Sequence, residues 1–246
     1  MKVSVMGVYF DDYTLAEFID YALSCIDKGE KCTVVTPNAE IGLECKKNPA
    51  LFELVNRSTL VLPDGISVKM AAKIIGAPIT QKAAGIEFSE GMCAELAKRE
   101  GSIFLFGAKP GVAEVAAAKL CEKYPGLKIA GVRNGYFSED QEYEIVEQIT
   151  EAKPDLLLVC LGAPKQEFFI DKHKDKLPAC VMVGAGGSID VFAGNVKRAP
   201  KIFIKLGLEW FYRLCKEPKR IKRMIKLPLY LWYALIWKMR GDKNNA

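Results

Sequence analysis

The chain lacks the histidines and paired cysteines on which many enzymes depend. Among its 246 residues the single histidine is His173, in the charged segment DKHKDK, where a solvated surface histidine is expected. One histidine disfavours a histidine-based catalytic triad or a histidine-rich metal site. The eight cysteines are scattered and form no CxxC pair, so we expect free thiols in a reducing compartment rather than disulfides.

Common nucleotide-binding motifs are missing too. The chain contains no GxxxxGK[ST], and its segment GAGGSI lacks the third glycine of GxGxxG, which disfavours a P-loop NTPase and an NAD enzyme. No DxD occurs either. An enzyme of this sequence that acts on a sugar nucleotide would therefore need another cation in place of the metal ion that DxD usually holds on the diphosphate.

Long apolar segments are also absent. The first residues contain no extended apolar stretch followed by a small-residue cleavage site. The longest apolar run covers residues 227–237, and its eleven residues fall short of the ~20 that a helix needs to cross a bilayer. We expect a cytoplasmic protein that at most lies on a membrane surface.

What the chain does contain is an uneven distribution of charge. Residues 201–246 carry twelve Lys and Arg against three acidic residues, a net charge of +9, and all three tryptophans. Because the whole chain carries +5, residues 1–200 carry −4. The sequence therefore predicts a body of residues 1–200 and a basic, aromatic appendage of residues 201–246 that holds or lies on something anionic.

Short apolar segments alternate with segments of helical periodicity along the body. The nearly all-apolar DLLLVCL is typical of a strand buried on both faces of a parallel sheet. We predict an α/β fold with a Rossmann-like, doubly wound, mostly parallel sheet and a C-terminal helical membrane-docking appendage. The expected strands are 3–8, 31–35, 58–62, 102–106, 127–132, 155–161 and 179–183. The expected helices are 15–27, 39–57, 65–75, 86–99, 112–123 and 138–152. Ser138 is the predicted N-cap of the last one, and Gln141, three residues later, completes a capping-box pattern.

Polar segments marked by Gly or Pro follow the predicted strands. They are TPNAE (36–40), LPDG (62–65), FGAKPG (106–111), LGAPKQE (161–167) and GAGGSID (184–190). Because ligands of open parallel sheets bind beyond the carboxyl ends of the strands, these segments predict one common site. FGAKPG and GAGGSID resemble turns in which backbone N–H groups and a helix N-terminus face a phosphate.

Four side chains in these segments each have two interpretations. Asp64 is either a turn or helix-capping residue or a carboxylate base directed into the cleft. Gln166 is either a surface helix residue or a hydrogen-bond donor to a sugar or phosphate. Thr36 and Asn38 either cap the next helix or contribute to the cleft.

The basic tail holds three arginines, Arg213, Arg220 and Arg223, whose spacings place them on one helix face, although Pro218 interrupts the pattern. A solvated basic face, nucleic acid, a membrane surface and a substrate phosphate are the alternatives. Nucleic acid is disfavoured because the body is acidic and no recognition module is visible. Basic residues with tryptophans beside a short apolar run favour a helix lying in the plane of a membrane.

Together these segments resemble a known family. TPNAEI, LPDG, FGAKPG, NGYF, LGAPKQE, GAGGSIDVFAGNVKRAP and KLGLEWFYRLCKEPKR occur in the order found in the bacterial WecG/TagA/CpsF glycosyltransferases, so the resemblance covers about residues 30–240. Within the family the chain is most similar to the wall teichoic acid branch. The resemblance implies an inverting transfer of N-acetylmannosamine from a UDP-sugar to the 4-hydroxyl of N-acetylglucosamine on undecaprenyl diphosphate, without metal or other cofactor.

The resemblance also implies residue roles. Asp64 would be the catalytic base, Thr36, Asn38 and Gln166 would hold donor and acceptor, and the three tail arginines would neutralise the diphosphate. Further contacts to UDP or substrate are expected from Gly107, Ala108, Tyr136, Gly162, Lys165, Gly186, Gly187, Asp190 and Arg198. The family further implies a homodimer and a tail docked on the inner face of the cytoplasmic membrane.

One segment departs from the family pattern. Where the family often has Arg-Val-x-Gly-x-Asp-Leu, this chain has KAAGIEF at residues 82–88. The departure leaves the donor open, so the alternative within the family is another donor, such as UDP-N-acetylmannosaminuronate or UDP-glucose, for a different surface polysaccharide. From a different function class, the alternative is a nucleotide- or lipid-binding module without catalysis.

Overall fold

The computed structural model describes residues 1–178, 181–200, 202–203, 207–216 and 221–241. The described strands are β1 (Lys2–Val5), β2 (Val8–Asp11), β3 (Cys32–Val35), β4 (Leu60–Val61), β5 (Ser102–Gly107), β6 (Lys128–Arg133), β7 (Leu156–Cys160) and β8 (Val181–Gly184). The described helices are α1 (Leu15–Lys28), α2 (Ala39–Cys45), α3 (Pro49–Arg57), α4 (Ile66–Ile75), α5 (Gly85–Lys98), α6 (Val112–Lys123), α7 (Glu142–Ala152), α8 (Lys165–His173), α9 (Ser188–Phe192), α10 (Glu209–Lys216), α11 (Ile221–Met224) and α12 (Lys226–Met239).

Six of the strands form one sheet in the spatial order β4-β3-β8-β7-β5-β6, and every pairing described in it is parallel. Val34 of β3 aligns with Leu60 on one side and with Val183 on the other. All five residues of β7 are buried, as helices on both faces of a parallel sheet require. The prediction of an α/β fold with a parallel sheet flanked by helices is confirmed, and the arrangement is consistent with a Rossmann-like fold.

Two predicted elements are wrong in detail. The strand expected at 3–8 is an antiparallel hairpin of β1 and β2 outside the main sheet, with Met6 and Gly7 at positive φ in its turn. The helix expected at 39–57 is two helices, because Asn48 caps α3 through a 3.2 Å bond from the Leu51 N–H and Pro49 opens it. The capping box of Ser138 with Gln141 is confirmed, although it opens a short 3₁₀ turn ahead of α7.

The hairpin protects one edge of the sheet. The carboxylate of Asp11 accepts the N–H of Val61 in β4 at 2.9 Å. An edge strand would otherwise present this N–H to solvent or to another chain. Asp11 is buried, and its burial raises the pKa of its carboxyl above the ordinary value.

Apolar side chains fill both faces of the sheet. One face packs against α1, α5, α6 and α9, with Phe18, Phe88 and Met92 among the buried side chains. A second cluster gathers the hairpin, α2, α3 and α4, and it includes Tyr230 and Ala234 of α12. A helix of the basic tail is therefore packed on the α/β body, whereas a domain boundary at residue 200 stays a prediction.

Within the described residues, no helix is both long enough and apolar enough to cross a membrane.

Candidate active site

The carboxyl ends of β3 and β8 are joined by Thr36, the first residue after β3. Its hydroxyl donates to the carbonyl of Gly184 at the end of β8 over 3.2 Å, and the side chain is buried. A Cβ placed on Gly85, which opens α5, would lie 3.1 Å from the same hydroxyl. Thr36 thus ties two of the predicted segments together, 36–40 and 184–190, and packs against the start of α5.

Asn38 and Asp64 lie in neighbouring turns at this edge. The side-chain oxygen of Asn38 accepts the N–H groups of Glu40 at 2.8 Å and Ile41 at 3.2 Å, so Asn38 caps α2. The N–H of Asp64 donates to the carbonyl of Pro37 at 3.2 Å. The structure therefore brings the two predicted residues together and confirms the capping interpretation of Asn38.

Gln166 is buried at the start of α8, not on the helix surface. Its side-chain oxygen accepts the N–H of Gly186 at 3.1 Å, and its Nε2 donates to Oε1 of Glu167 at 2.9 Å. Both side chains are almost fully enclosed, Gln166 at 2% and Glu167 at 1% exposure. Burial raises the pKa of the Glu167 carboxyl above its ordinary value.

A second group of predicted residues surrounds the ends of β5 and β7. Gly107 has a φ of 140°, and a Cβ there would overlap the carbonyl of Cys160, so the position requires glycine. The N–H of Ala108 donates to the same carbonyl at 3.3 Å, and its own carbonyl accepts the N–H of Gly135 at 2.9 Å. Nearby, Tyr136 is largely exposed, with its ring open to a ligand.

The remaining predicted contacts lie around these turns. Gly162, at positive φ, leads into α8, where Lys165 is the exposed first residue. Gly187 and Asp190 lie at the start of the short helix α9, beyond the end of β8. These positions border the same carboxyl edge of the sheet as Gln166.

Arg198 contacts the segment in which the sequence departs from the family. Its guanidinium lies 2.8 Å from Glu87 and 3.5 Å from Glu90, both in α5. The glutamate that stands where the family often has aspartate is thus paired with a predicted substrate-binding arginine. This contact gives the departure a structural role: it holds the segment after α9 against α5.

The basic tail contacts the site from two directions. A Cβ placed on Gly207 would lie 3.0 Å from Ile66, the residue two positions after Asp64. Lys226, at the start of α12, lies 2.6 Å from Glu40, two positions after Asn38. Residues 208–225 therefore begin beside the Asp64 turn and end beside the Asn38 turn.

In the sequence, the three tail arginines fall between Gly207 and Lys226. Arg213 belongs to α10 and Arg223 to α11, but their side chains are not among those that the structure describes. Arg220 lies outside the described residues.

Sequence reasoning missed Glu167 and misplaced His173. An acidic residue after a turn and a histidine among lysines both look exposed. His173 is in fact buried at 7% exposure, packs on Phe169 and lies 2.6 Å from Oε1 of Glu142. Arg133, at the carboxyl end of β6, is a further candidate for an anion, because its buried Nε has no hydrogen-bond partner among the described residues.

Comparison with known proteins shows which family the chain resembles over most of its length. The profile described as "Glycosyl transferase WecG/TagA/CpsF family" matches residues 3–244. Proteins of Bacillus spizizenii and Bacillus subtilis are each 37% identical, over 92% and 98% of this chain and 88% and 93% of their own lengths. A protein of Staphylococcus aureus strain MW2 is 34% identical over 94% of this chain and 91% of its own. All three carry the name N-acetylglucosaminyldiphosphoundecaprenol N-acetyl-beta-D-mannosaminyltransferase.

Proposed function

The chain belongs to the glycosyl transferase WecG/TagA/CpsF family, and we propose that it transfers N-acetylmannosamine from UDP-N-acetylmannosamine to N-acetylglucosamine on undecaprenyl diphosphate. It is a glycosyltransferase. The names of the relatives support both the transferred sugar and the lipid-linked acceptor. The product would be the linkage unit of wall teichoic acid.

The proposed reaction is a single displacement with inversion. The 4-oxygen of the acceptor sugar attacks the anomeric carbon of the donor, and the bond from that carbon to the UDP oxygen breaks on the opposite face. Asp64 takes the proton of the attacking hydroxyl, and UDP leaves with the electron pair of the broken bond. A carboxylate is suited to this step because it can accept a proton without the help of a metal ion.

The position of Asp64 is the observation that carries the proposal. Its N–H bond to Pro37 places it beside the turn of Thr36 and Asn38, at the edge where ligands of parallel sheets bind. The tail contact at Ile66 adjoins the same turn. Asp64, the polar residues of the neighbouring turn and one end of the basic tail therefore lie at one edge of the sheet, which supports their assignment to one site.

The leaving diphosphate needs positive charge, which we assign to Arg213, Arg220 and Arg223. Guanidinium groups bind phosphate oxygens in pairs and remain charged, so they can stabilise UDP as it departs. The contacts of Lys226 with Glu40 and of Gly207 with Ile66 support this assignment, because they hold both ends of the arginine segment at the site.

We further propose that α12 docks on the inner face of the cytoplasmic membrane, where a polyprenyl acceptor would reside. The helix buries Tyr230 and Ala234 against the body and leaves four large apolar side chains exposed on its other side. These are Leu229, Trp232, Leu235 and Met239. A helix with one face on protein and an apolar, tryptophan-containing face outward suits the interfacial zone of a bilayer.

A donor screen tests the proposal. The purified protein is assayed with UDP-N-acetylmannosamine, its uronate, UDP-glucose and UDP-N-acetylglucosamine against one lipid-linked N-acetylglucosamine acceptor. We expect transfer from UDP-N-acetylmannosamine and a β-linked product by NMR. Transfer from a different donor would assign the chain to another branch of the family, and an α-linked product would contradict inversion.

A further inference from the structure

Two adjacent polar residues are buried side by side beneath the end of β8. Gln166 and Glu167 follow Lys165 in the first turn of α8, and neither is more than 2% exposed. A Cβ placed on Gly184 would lie 2.9 Å from Nε2 of Gln166 and 3.2 Å from Oε1 of Glu167. The space that a side chain at position 184 would occupy is therefore filled by this pair, which explains why β8 ends in glycine.

The hydrogen bonds of the pair fix the orientation of one amide. The N–H of Gly186 is a donor, so it requires the carbonyl oxygen of Gln166 and not its NH₂ group. At the other end, a carboxylate is an acceptor, so Oε1 of Glu167 requires the NH₂ group. Without Glu167, the amide of Gln166 could turn over and present an NH₂ group to the Gly186 N–H.

We infer that Glu167 is a positioning residue, which acts through Gln166 to hold the Gly186–Gly187 turn in the shape that receives the nucleotide donor. That the turn receives a nucleotide donor rests on the proposed function. That Glu167 positions the turn rests on the observed hydrogen bonds. This positioning also gives Gln166 a role besides that of a substrate contact: its oxygen is engaged by the turn, and one of the two N–H donors of its NH₂ group is held by Glu167.

The environment of Glu167 fits such a role. Its second oxygen, Oε2, is buried and has no hydrogen-bond partner in the part of the chain that the structure describes. Burial raises the pKa of this carboxyl, and the protonated form still offers one oxygen as an acceptor. A buried carboxyl with one unsatisfied oxygen lowers the stability of the fold. Its hydrogen bond to Gln166 is the contact that could offset this cost.

Two substitutions of Glu167 separate positioning from simple packing. Glu167→Leu removes the acceptor for Gln166, whereas Glu167→Gln keeps an acceptor oxygen of the same reach. The dissociation constant of UDP is measured by calorimetry, and hydrogen exchange of the 184–188 segment is measured by mass spectrometry. For Glu167→Leu we expect UDP binding weaker by about tenfold, the factor that a hydrogen bond of ~1.4 kcal/mol supplies, and faster exchange of the segment. For Glu167→Gln we expect both quantities within about threefold of the parent protein. In UDP binding, a threefold change is a loss of at most ~0.7 kcal/mol.

A double substitution tests whether Glu167 acts through Gln166. Gln166→Leu is expected to weaken UDP binding as Glu167→Leu does, and the double variant is expected to be no worse than Gln166→Leu alone. The matched control is Glu53→Leu, an exposed glutamate of α3, which should change neither quantity. If Glu167→Leu does not fold, Gln166→Leu and Glu167→Gln carry the comparison.

Three results would overturn the inference. They are normal UDP binding and exchange in Glu167→Leu, Glu167→Gln as impaired as Glu167→Leu, and additive losses in the double variant. The proposed function has a separate failure: if the parent protein binds no UDP, the donor assignment is wrong. Exchange of the 184–188 segment then still decides whether the pair positions the turn.

Discussion

The ammonium group of Lys226 lies 2.6 Å from the carboxylate of Glu40 and so ties the first residue of α12 to the first turn of α2. Because Asn38 caps α2, this ion pair joins the basic tail to one of the turns that form the site. The two side chains are 37% and 33% exposed, so the pair contributes about 0.2–1 kcal/mol to stability. We expect the pair to matter because it positions residues 208–225, the segment that holds the three arginines.

Reversal of this ion pair tests that placement. Lys226→Glu sets two carboxylates against each other and should lower transferase activity severalfold with little change in unfolding temperature, because like charges repel where the tail must dock. Glu40→Lys combined with Lys226→Glu should recover part of the activity. Lys176→Glu, the same charge reversal at an exposed lysine in the turn after α8, is the control. A double variant no more active than Lys226→Glu would show that the pair does not position the tail.

Replacement of Asp64 tests the proposed base. Asp64→Asn keeps the size of the side chain but cannot accept the proton of the acceptor hydroxyl, so we expect turnover to fall by about 10²–10⁴-fold. UDP binding, measured by calorimetry, should be retained, because the substitution does not alter the turns after β5 and β8 that we expect to contact UDP. Unchanged turnover would remove Asp64 as the base, and loss of UDP binding would assign it to the donor instead.

Removal of divalent metal ions tests the role given to the arginines. If guanidinium groups neutralise the leaving diphosphate, EDTA should leave the initial rate of transfer unchanged. The assay is run with and without EDTA, and again with added Mg²⁺ or Mn²⁺. A strict requirement for either ion would contradict the assignment. Arg220→Glu should abolish activity under all of these conditions while the protein stays folded.

Much of the sheet, and of the edge that carries the candidate site, could be predicted from the sequence. The DLLLVCL strand is visible because burial on both faces removes polar residues from it, and Asp64 is visible because a turn follows each parallel strand. The break between α2 and α3 had a local signal that was missed, since Asn followed by Pro is typical of a helix start. These features depend on neighbours along the chain.

The features that could not be predicted depend on neighbours in space. Glu167 looks exposed in GAPKQE, and its burial follows from the glycine at position 184 of a strand close in space but distant in sequence. His173 looks solvated in DKHKDK, yet it is buried beside Phe169 and bonded to Glu142, which lies 31 positions earlier in the sequence. Tyr230 belongs to the apolar run 227–237, which looks interfacial, yet it packs into the body against Gly42. Residue patterns do not specify which distant segment covers a side chain.

The pair of Glu142 and His173 predicts how stability responds to acid. Partial burial raises the pKa of Glu142, but hydrogen bonds from Lys172 and His173 outweigh it and lower that pKa below its ordinary value of 4.5. A lowered pKa in the folded state means that the contribution is present above pH 4.5 and is lost as the pH falls through the lowered value. Glu142→Gln should therefore cost about 1 kcal/mol in free energy of unfolding at pH 7, and progressively less in more acidic buffer.

Urea unfolding at pH 7 and at pH 4 and below measures this difference. Glu139→Gln, the same substitution at an exposed neighbour in the preceding turn, is the control and is unfolded in the same buffers. The difference in free energy of unfolding between the parent protein and Glu142→Gln should shrink as the pH falls. If it stays constant down to the lowest pH at which both are folded, the assigned pKa direction is contradicted.

Tyr230 predicts opposite results for two substitutions. Its ring is buried at 1% exposure between α12 and α2, and its hydroxyl has no hydrogen-bond partner within the described ranges. Tyr230→Ala leaves a cavity and should lower the free energy of unfolding by about 3–5 kcal/mol. Tyr230→Phe removes only an unsatisfied buried hydroxyl, so it should be neutral or stabilising by up to about 1 kcal/mol. Urea denaturation of both variants measures these changes. A loss of more than about 1 kcal/mol in Tyr230→Phe would show that the hydroxyl has a partner and that α12 is anchored by a hydrogen bond as well as by packing.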